Sequence, residues 1–220
     1  MQPAVDDSPP VLRNTRYYRF CRCCVWLVSR IFFRARWLHV DRVPVAGPLL
    51  IVANHESFID PPLIGCAIAK RELAYLARSG LFKSKPLGLL LRSFNCVPVS
   101  ESGGDVAAMR TVISLLHAGN AVLIFPEGSR SPNGQMQEFK RGVALILRKA
   151  PCPVMPVAVE GPFRAWPRHR KFPTLFRHRV ATNYGQPIPS DQLMASGPDA
   201  ALERLHAEVA RLKAELQTST

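Results

Sequence analysis

Short apolar runs, separated by segments of helical spacing, constrain this chain more than any other feature. Pro48-Leu49-Leu50-Ile51-Val52-Ala53, Ala121-Val122-Leu123-Ile124-Phe125 and Pro153-Val154-Met155-Pro156-Val157-Ala158-Val159 contain no polar side chain. A strand wet on one face alternates apolar and polar residues, whereas a strand covered on both faces reads as a continuous apolar run. Leu73–Ala77, Cys96–Val99 and Val180–Tyr184 are further strand candidates. Residues 62–70, 80–93, 106–118 and 143–148 between them read as helices, with Asp105 as an N-cap and Gly119-Asn120 as a stop. Strand and helix in alternation predict an α/β fold: a mixed, largely parallel central sheet flanked by helices. A last helix over 199–216 sets Leu202, Leu205, Val209, Leu212 and Leu216 on one docking face.

The start of the chain follows another pattern. Residues 1–12 are acidic and proline-containing, without the basic start and apolar run of a signal peptide, and are expected to be a disordered tail. Over 13–38 arginines interleave with aromatic and aliphatic residues. On a helical wheel Arg16, Arg19, Arg30 and Arg34 fall within about 60° of one another, opposite Tyr17, Cys21, Cys24, Val25, Val28 and Phe32. Arg30 interrupts the apolar run well short of the ~20 residues a spanning helix needs. The segment is therefore expected to be an amphipathic, membrane-interfacial helix, apolar side in the acyl boundary and arginines among lipid phosphates. An amphipathic helix packed on the domain's own core is the competing reading. Residues 39–220 then form the main domain.

Charge agrees with an anionic partner. The 29 Lys and Arg exceed the 16 Asp and Glu, for a net charge of +13. A nucleic-acid binder would group its basic residues on one recognition element; here they are spread along the chain, so nucleic acid is not the expected partner. Six cysteines without a paired Cys-x-x-Cys pattern suggest free thiols in a reducing compartment.

Two strand ends carry the candidate chemistry. The first strand delivers Asn54-His55-Glu56-Ser57-Phe58-Ile59-Asp60. A carboxylate on one imidazole nitrogen fixes the tautomer and stabilises the imidazolium, which makes the other nitrogen a base. Five helical positions lie about 140° apart, so His55 and Asp60 can touch only if the backbone bends between them. Pro61, which pushes its predecessor toward an extended conformation, supplies a reason for a bend. A loop histidine and an Asp60 N-cap ahead of Pro61-Pro62 account for the same residues without catalysis. The 121–125 strand delivers Pro126-Glu127-Gly128-Ser129-Arg130-Ser131. Sites of open α/β sheets lie outside the C-terminal strand ends, so Glu127 and Arg130 would stand beside His55 if the two strands are neighbours. No third ligand accompanies His55 and Asp60, so no metal site is assigned. No Gly-x-Ser-x-Gly elbow occurs, which disfavours serine hydrolysis.

In order, Asn54-His55 to Asp60, a basic helix, Phe125-Pro126-Glu127-Gly128-Ser129-Arg130-Ser131, Phe139-Lys140-Arg141-Gly142 and Cys152-Pro153-Val154-Met155-Pro156-Val157-Ala158 resemble the glycerolipid acyltransferases. The 1-acylglycerol-3-phosphate acyltransferases are the nearest likeness, over residues 40–190. The resemblance implies transfer of a fatty acyl group from acyl-CoA or acyl carrier protein to a lysophospholipid hydroxyl, giving phosphatidic acid. It implies His55 as general base and Asp60 as its orienter. Glu127, Gly128, Ser129 and Arg130, with Lys83 and Lys85, would bind the acceptor, and Val154, Pro156 and Val157 would form the acyl site. The acyl donor is a substrate, and no further cofactor is expected. The place of action would be the cytoplasmic face of a membrane, with the enzyme peripheral or monotopic. One departure stands out: Val99-Ser100-Glu101-Ser102 occupies the place where the family often has Asp-Arg. A glutamate there would repel phosphate, which leaves a different lysolipid open as acceptor, beside a non-enzymatic membrane-binding protein.

Overall fold

Helix α1 spans Arg16–Phe32, and the edge strand β1 follows at Arg36–Leu38. Strand β2 is Leu49–Ala53 and helix α2 Asp60–Ala67. Strand β3 (Leu73–Arg78) leads through a 3₁₀ turn, Ser79–Lys83, into α3 (Lys85–Ser93). Then come β4 (Cys96–Val99), α4 (Gly104–His117), β5 (Ala121–Ile124), α5 (Gly142–Lys149) and β6 (Val154–Glu160). Short α6 (Pro162–Ala165), β7 (Ala181–Tyr184), short α7 (Ser190–Met194) and α8 (Pro198–Thr218) complete the chain. This is a computed structural model, and it describes residues 12, 16–99 and 104–218. The expected disordered tail, apart from Leu12, lies outside the described residues, as does Glu101.

Seven strands form one sheet in the order β1-β7-β6-β2-β5-β3-β4, every pair parallel except β6 with β7. β2 lies in the middle, between β5 and β6, and all five of its residues are buried. Leu50 and Val52 point into a layer with Val112, Leu115 and Leu116 of α4, Ile146 of α5 and Leu205 of α8. Leu49, Ile51 and Ala53 point the other way, into a layer with Ile64 of α2, Met155 and Tyr184. Each such aliphatic side chain contributes about 1.5–3 kcal/mol when fully buried. This two-sided cover is the reason that β2, β5 and β6 were legible as unbroken apolar runs.

The 13–38 segment departs from one long helix. α1 stops at Phe32; Arg34 takes φ +48 and the amide of Ala35 turns back to the carbonyl of Ser29 (3.1 Å). Residues 36–38 then pair with β7 as the parallel edge strand β1. α1 itself is packed on α2 through a face that is partly polar. Arg22 donates there to the carbonyl of Cys66 (2.8 Å) and Ser29 is buried, while Tyr18 is buried with its ring edge-on to Phe94. Trp26 stacks on Trp37 at 5.6 Å. The more apolar stripe, Tyr17, Phe20, Leu27, Val28 and Ile31, is left about half exposed or more. The packed face fits the reading of a helix docked on the domain's own core; the opposite face is apolar and exposed. Among the described residues no helix is long and apolar enough to cross a membrane.

Candidate active site

Neighbouring strands β2 and β5 run parallel with Val52 opposite Ile124. Three residues further on, each strand has left the sheet, and His55 arrives beside Glu127. Asn54 prolongs the ladder with its side chain: its amide nitrogen donates to Val159 O (3.0 Å) and its oxygen accepts from Val159 N (2.8 Å). His55 is then clamped from both sides by the second loop. Its amide donates to Glu127 Oε1 (2.7 Å), and its carbonyl accepts from Ser131 N (2.8 Å). The imidazole stacks on Phe125, with ring centroids 4.0 Å apart.

His55 and Asp60 do meet, Nδ1 to Oδ2 at 2.8 Å. The bend lies elsewhere than Pro61 suggested. Asp60 is already the first residue of α2, and the turn falls at residues 58–59, just upstream of it. What holds the turn is the carboxylate: Asp60 Oδ2 also accepts from the amides of Glu56 (2.6 Å) and Ser57 (2.7 Å). Asp60 therefore reaches backward to the loop, and it is not the N-cap of α2, a place held by Ile59. An ionised carboxylate only accepts, so Nδ1 carries the proton toward Asp60 and Nε2 keeps its lone pair. No described residue takes Nε2, and the histidine side chain is 18% exposed while Asp60 is fully buried. A base oriented from behind and open in front results.

Glu127 is buried, and both its oxygens are engaged: Oε1 by His55 N, Oε2 by Gln137 N (3.1 Å) and Nε2 (3.3 Å). Burial pushes its carboxyl above the ordinary value, opposed by those hydrogen bonds from His55 and Gln137. Its described contacts position His55. Gly128 turns the loop at φ +75, a left-handed conformation that side chains rarely adopt, so the turn favours glycine. Ser129 is half-buried and lends its carbonyl to Gln137 Nε2 (3.4 Å).

Arg130 lies flat over the ring of Phe58, its guanidinium carbon 3.5 Å from the centroid. Its Nη1 is buried without a partner, as is Oδ1 of Asp60. Burial first, and then the charges of Arg168 and Arg78, pull its pKa below the ordinary arginine value against the attraction of Asp60. An arginine stays protonated regardless, so this corner is strongly positive. Lys83 and Lys85 sit further along, exposed, with no described contact to His55, Asp60, Glu127 or Arg130. Val154, Pro156 and Val157 are buried in β6, Val154 and Val157 on opposite faces of the sheet.

Several members of the site were not singled out from sequence: Phe125 as the stacking partner, Ser131 and Gln137 as latches, Arg78 and Arg168 near Arg130. Arg78 ends a strand that runs parallel to β5, and that topology was the only available signal.

A buried carboxylate behind an open histidine at one strand end, with an arginine-bearing loop at the next, is a site able to deprotonate a hydroxyl beside an anionic group. The chain belongs to the Acyltransferase family, whose model matches residues 36–160. Among individual relatives, it is 26% identical over 145 residues to the 1-acyl-sn-glycerol-3-phosphate acyltransferase of Bacillus subtilis, covering 66% of this chain and 72% of that one. The enzyme of that name from Streptococcus pneumoniae is 27% identical over 216 residues, covering 96% and 78%. The crystal structure of the 1-acyl-sn-glycerophosphate (LPA) acyltransferase PlsC from Thermotoga maritima superposes with a TM-score of 0.75 at 25% identity, over 94% of this chain and 84% of that one.

Proposed function

We propose that this enzyme transfers a fatty acyl group from acyl-CoA or acyl carrier protein to the free hydroxyl of 1-acyl-glycerol-3-phosphate, giving phosphatidic acid. The observation that carries the reading is the His55–Asp60 pair, 2.8 Å apart, at the same sheet end as Arg130. The names of the relatives support the choice of acceptor. A glycerol hydroxyl is a poor nucleophile at neutral pH. Nε2 of His55 takes its proton as the oxygen attacks the thioester carbonyl, and Asp60 stabilises the imidazolium that forms. A carbon–oxygen bond forms, the carbon–sulfur bond breaks, and the departing thiolate receives the proton from His55.

Arg130 holds the acceptor phosphate in this reading, with Arg78 and Arg168 adding positive potential; its planar fork suits phosphate oxygens. An acceptor panel with labelled acyl-CoA tests this. Turnover is expected on lysophosphatidic acid, and the KM for it should rise about tenfold or more in Arg130→Ala, equivalent to losing a charge-assisted hydrogen bond of about 1.5–3 kcal/mol. Arg130→Lys should recover only part. A wild type that acylates another lysolipid and leaves lysophosphatidic acid untouched overturns the acceptor assignment.

The exposed stripe of α1 supports attachment to a membrane surface, where the arginines on its flank meet lipid phosphates. Replacing Phe20, Leu27 and Ile31 together with glutamine should release the protein from anionic vesicles in a flotation assay. Salt alone should release the wild type only partly, because screening does not touch the apolar contact. Complete release by salt would reduce the attachment to electrostatics.

A further inference from the structure

Outside the region matched by the family model, α8 sends one cation under the active site. Lys213 is 12% exposed, and its ammonium touches three different segments. It donates to Glu56 Oε1 (2.6 Å) and to the carbonyl of Gly134 (3.1 Å), and it lies 3.6 Å from Glu160 at the end of β6. Both hydrogen bonds lead to the His55–Asp60 pair. Glu56 is the residue after His55 and gives its amide to Asp60 Oδ2. Its carboxylate is buried, with Oε2 accepting from Phe163 N (3.1 Å) and Oε1 also near the Asn54 amide (3.4 Å). Gly134 closes a turn whose amide donates to Ser131 Oγ (2.9 Å), and Ser131 N in turn holds the carbonyl of His55.

The charges at this junction are asymmetric. Burial pushes Glu56 up to about 7, with Lys213 pulling against it and Asp60 pushing further. For Lys213 burial acts downward, but the carboxylates of Glu56 and Glu160 outweigh it and leave the ammonium above the ordinary lysine value. Lys213 Nζ and Glu56 Oε1, 2.6 Å apart, have the geometry of an ion pair. Two hydrogen bonds and one further ion pair converge on one side chain, and both hydrogen bonds lead on to the backbone of His55 or to Asp60.

We propose that Lys213 is a positioning residue for acyl transfer: from α8 it ties the His55–Asp60 turn and the Ser131–Gly134 turn that holds the His55 carbonyl into one rigid arrangement. This rests on the reading of His55 as the base. Lys213 is placed to act through Glu56 and Gly134, so its loss should appear in kcat and leave substrate binding almost untouched. A misplacement of the reacting groups by about 1 Å can cost on the order of 100-fold.

Three variants of the full chain separate the outcomes: Lys213→Met, Lys213→Met with Glu56→Gln, and His55→Ala. In Lys213→Met, kcat should fall about 10–100-fold with both KM values within about threefold of wild type. That variant also strands the Glu56 carboxylate, so its Tm should fall. The double variant removes the stranded charge and should recover Tm while kcat stays at least tenfold low, because nothing then ties α8 to the Gly134 turn. Should the single variant fail to fold, the double variant alone decides. A kcat within threefold of wild type in the double variant, or a loss that disappears together with the Tm deficit, reduces Lys213 to a stabilising residue. A rise in KM at unchanged kcat also overturns the proposal. If His55→Ala keeps activity, the assignment of the base fails instead, whatever Lys213 does.

Discussion

Replacing His55 with alanine is expected to lower kcat by about 10²–10⁴-fold, the contribution of a positioned general base, with the fold intact. The second half of that expectation comes from where the loop is anchored. The bonds from His55 N to Glu127 and from Ser131 N to His55 O are made by backbone atoms, which alanine keeps. Asp60 retains the amides of Glu56 and Ser57, so its buried carboxylate is not stranded. The side chain gives up its stacking on Phe125, a contact worth about 0.5–1.5 kcal/mol. For a chain of this length that corresponds to a Tm lower by only a few degrees. Circular dichroism with radiolabelled acyl transfer checks both halves. A variant with wild-type spectra and activity within a few-fold of the native enzyme would remove the base mechanism.

Asp60→Asn is expected to be nearly as damaging, about 10²–10⁴-fold in kcat, with kcat/KM falling in parallel. Asp60 Oδ2 accepts three N–H groups, from His55, Glu56 and Ser57. An asparagine oxygen can still accept them, so the turn and its register survive. What disappears is the negative charge that stabilises the imidazolium during attack. A purely structural Asp60 predicts the opposite, because asparagine serves as well as aspartate in capping roles. Steady-state kinetics on lysophosphatidic acid distinguishes the two. Activity within about threefold of wild type would leave Asp60 a scaffold residue. Asp60→Ala is the less informative variant, since it leaves two buried amides without an acceptor, at about 1–3 kcal/mol each.

The elements legible in the sequence share one property: their signal is local. β2, β5 and β6 are covered on both faces and so read as unbroken apolar runs. Leu202, Leu205, Val209, Leu212 and Leu216 mark the buried side of α8 by their spacing. The bend between His55 and Asp60 was also foreseen, although from Pro61, when the Asp60 carboxylate makes it. β1 escaped notice because Arg36-Trp37-Leu38 forms an edge strand with a partner on one side only. Its aromatic and arginine residues suited a helix equally well, and only pairing with β7 decided otherwise. The two-faced character of α1 was hidden for a related reason. Tyr18, Arg22 and Ser29 make an unremarkable stripe on a helical wheel, and it becomes the packed face only because α2 and the end of α3 offer it a surface.

By itself, then, the sequence determined the α/β class, the segments that become the central strands, and the identity of the pair at the end of β2. Periodicity and residue chemistry reside in neighbouring residues, and no other part of the chain is needed to express them. Tertiary structure alone decided that β5 lies beside β2, that Glu127 and Ser131 clamp the backbone of His55, that Arg130 rests on Phe58, and that Lys213 reaches Glu56 across 157 positions. Such contacts follow from strand order and helix docking. Those are set by the sum of many weak apolar contacts over the whole core, and no single segment carries that sum.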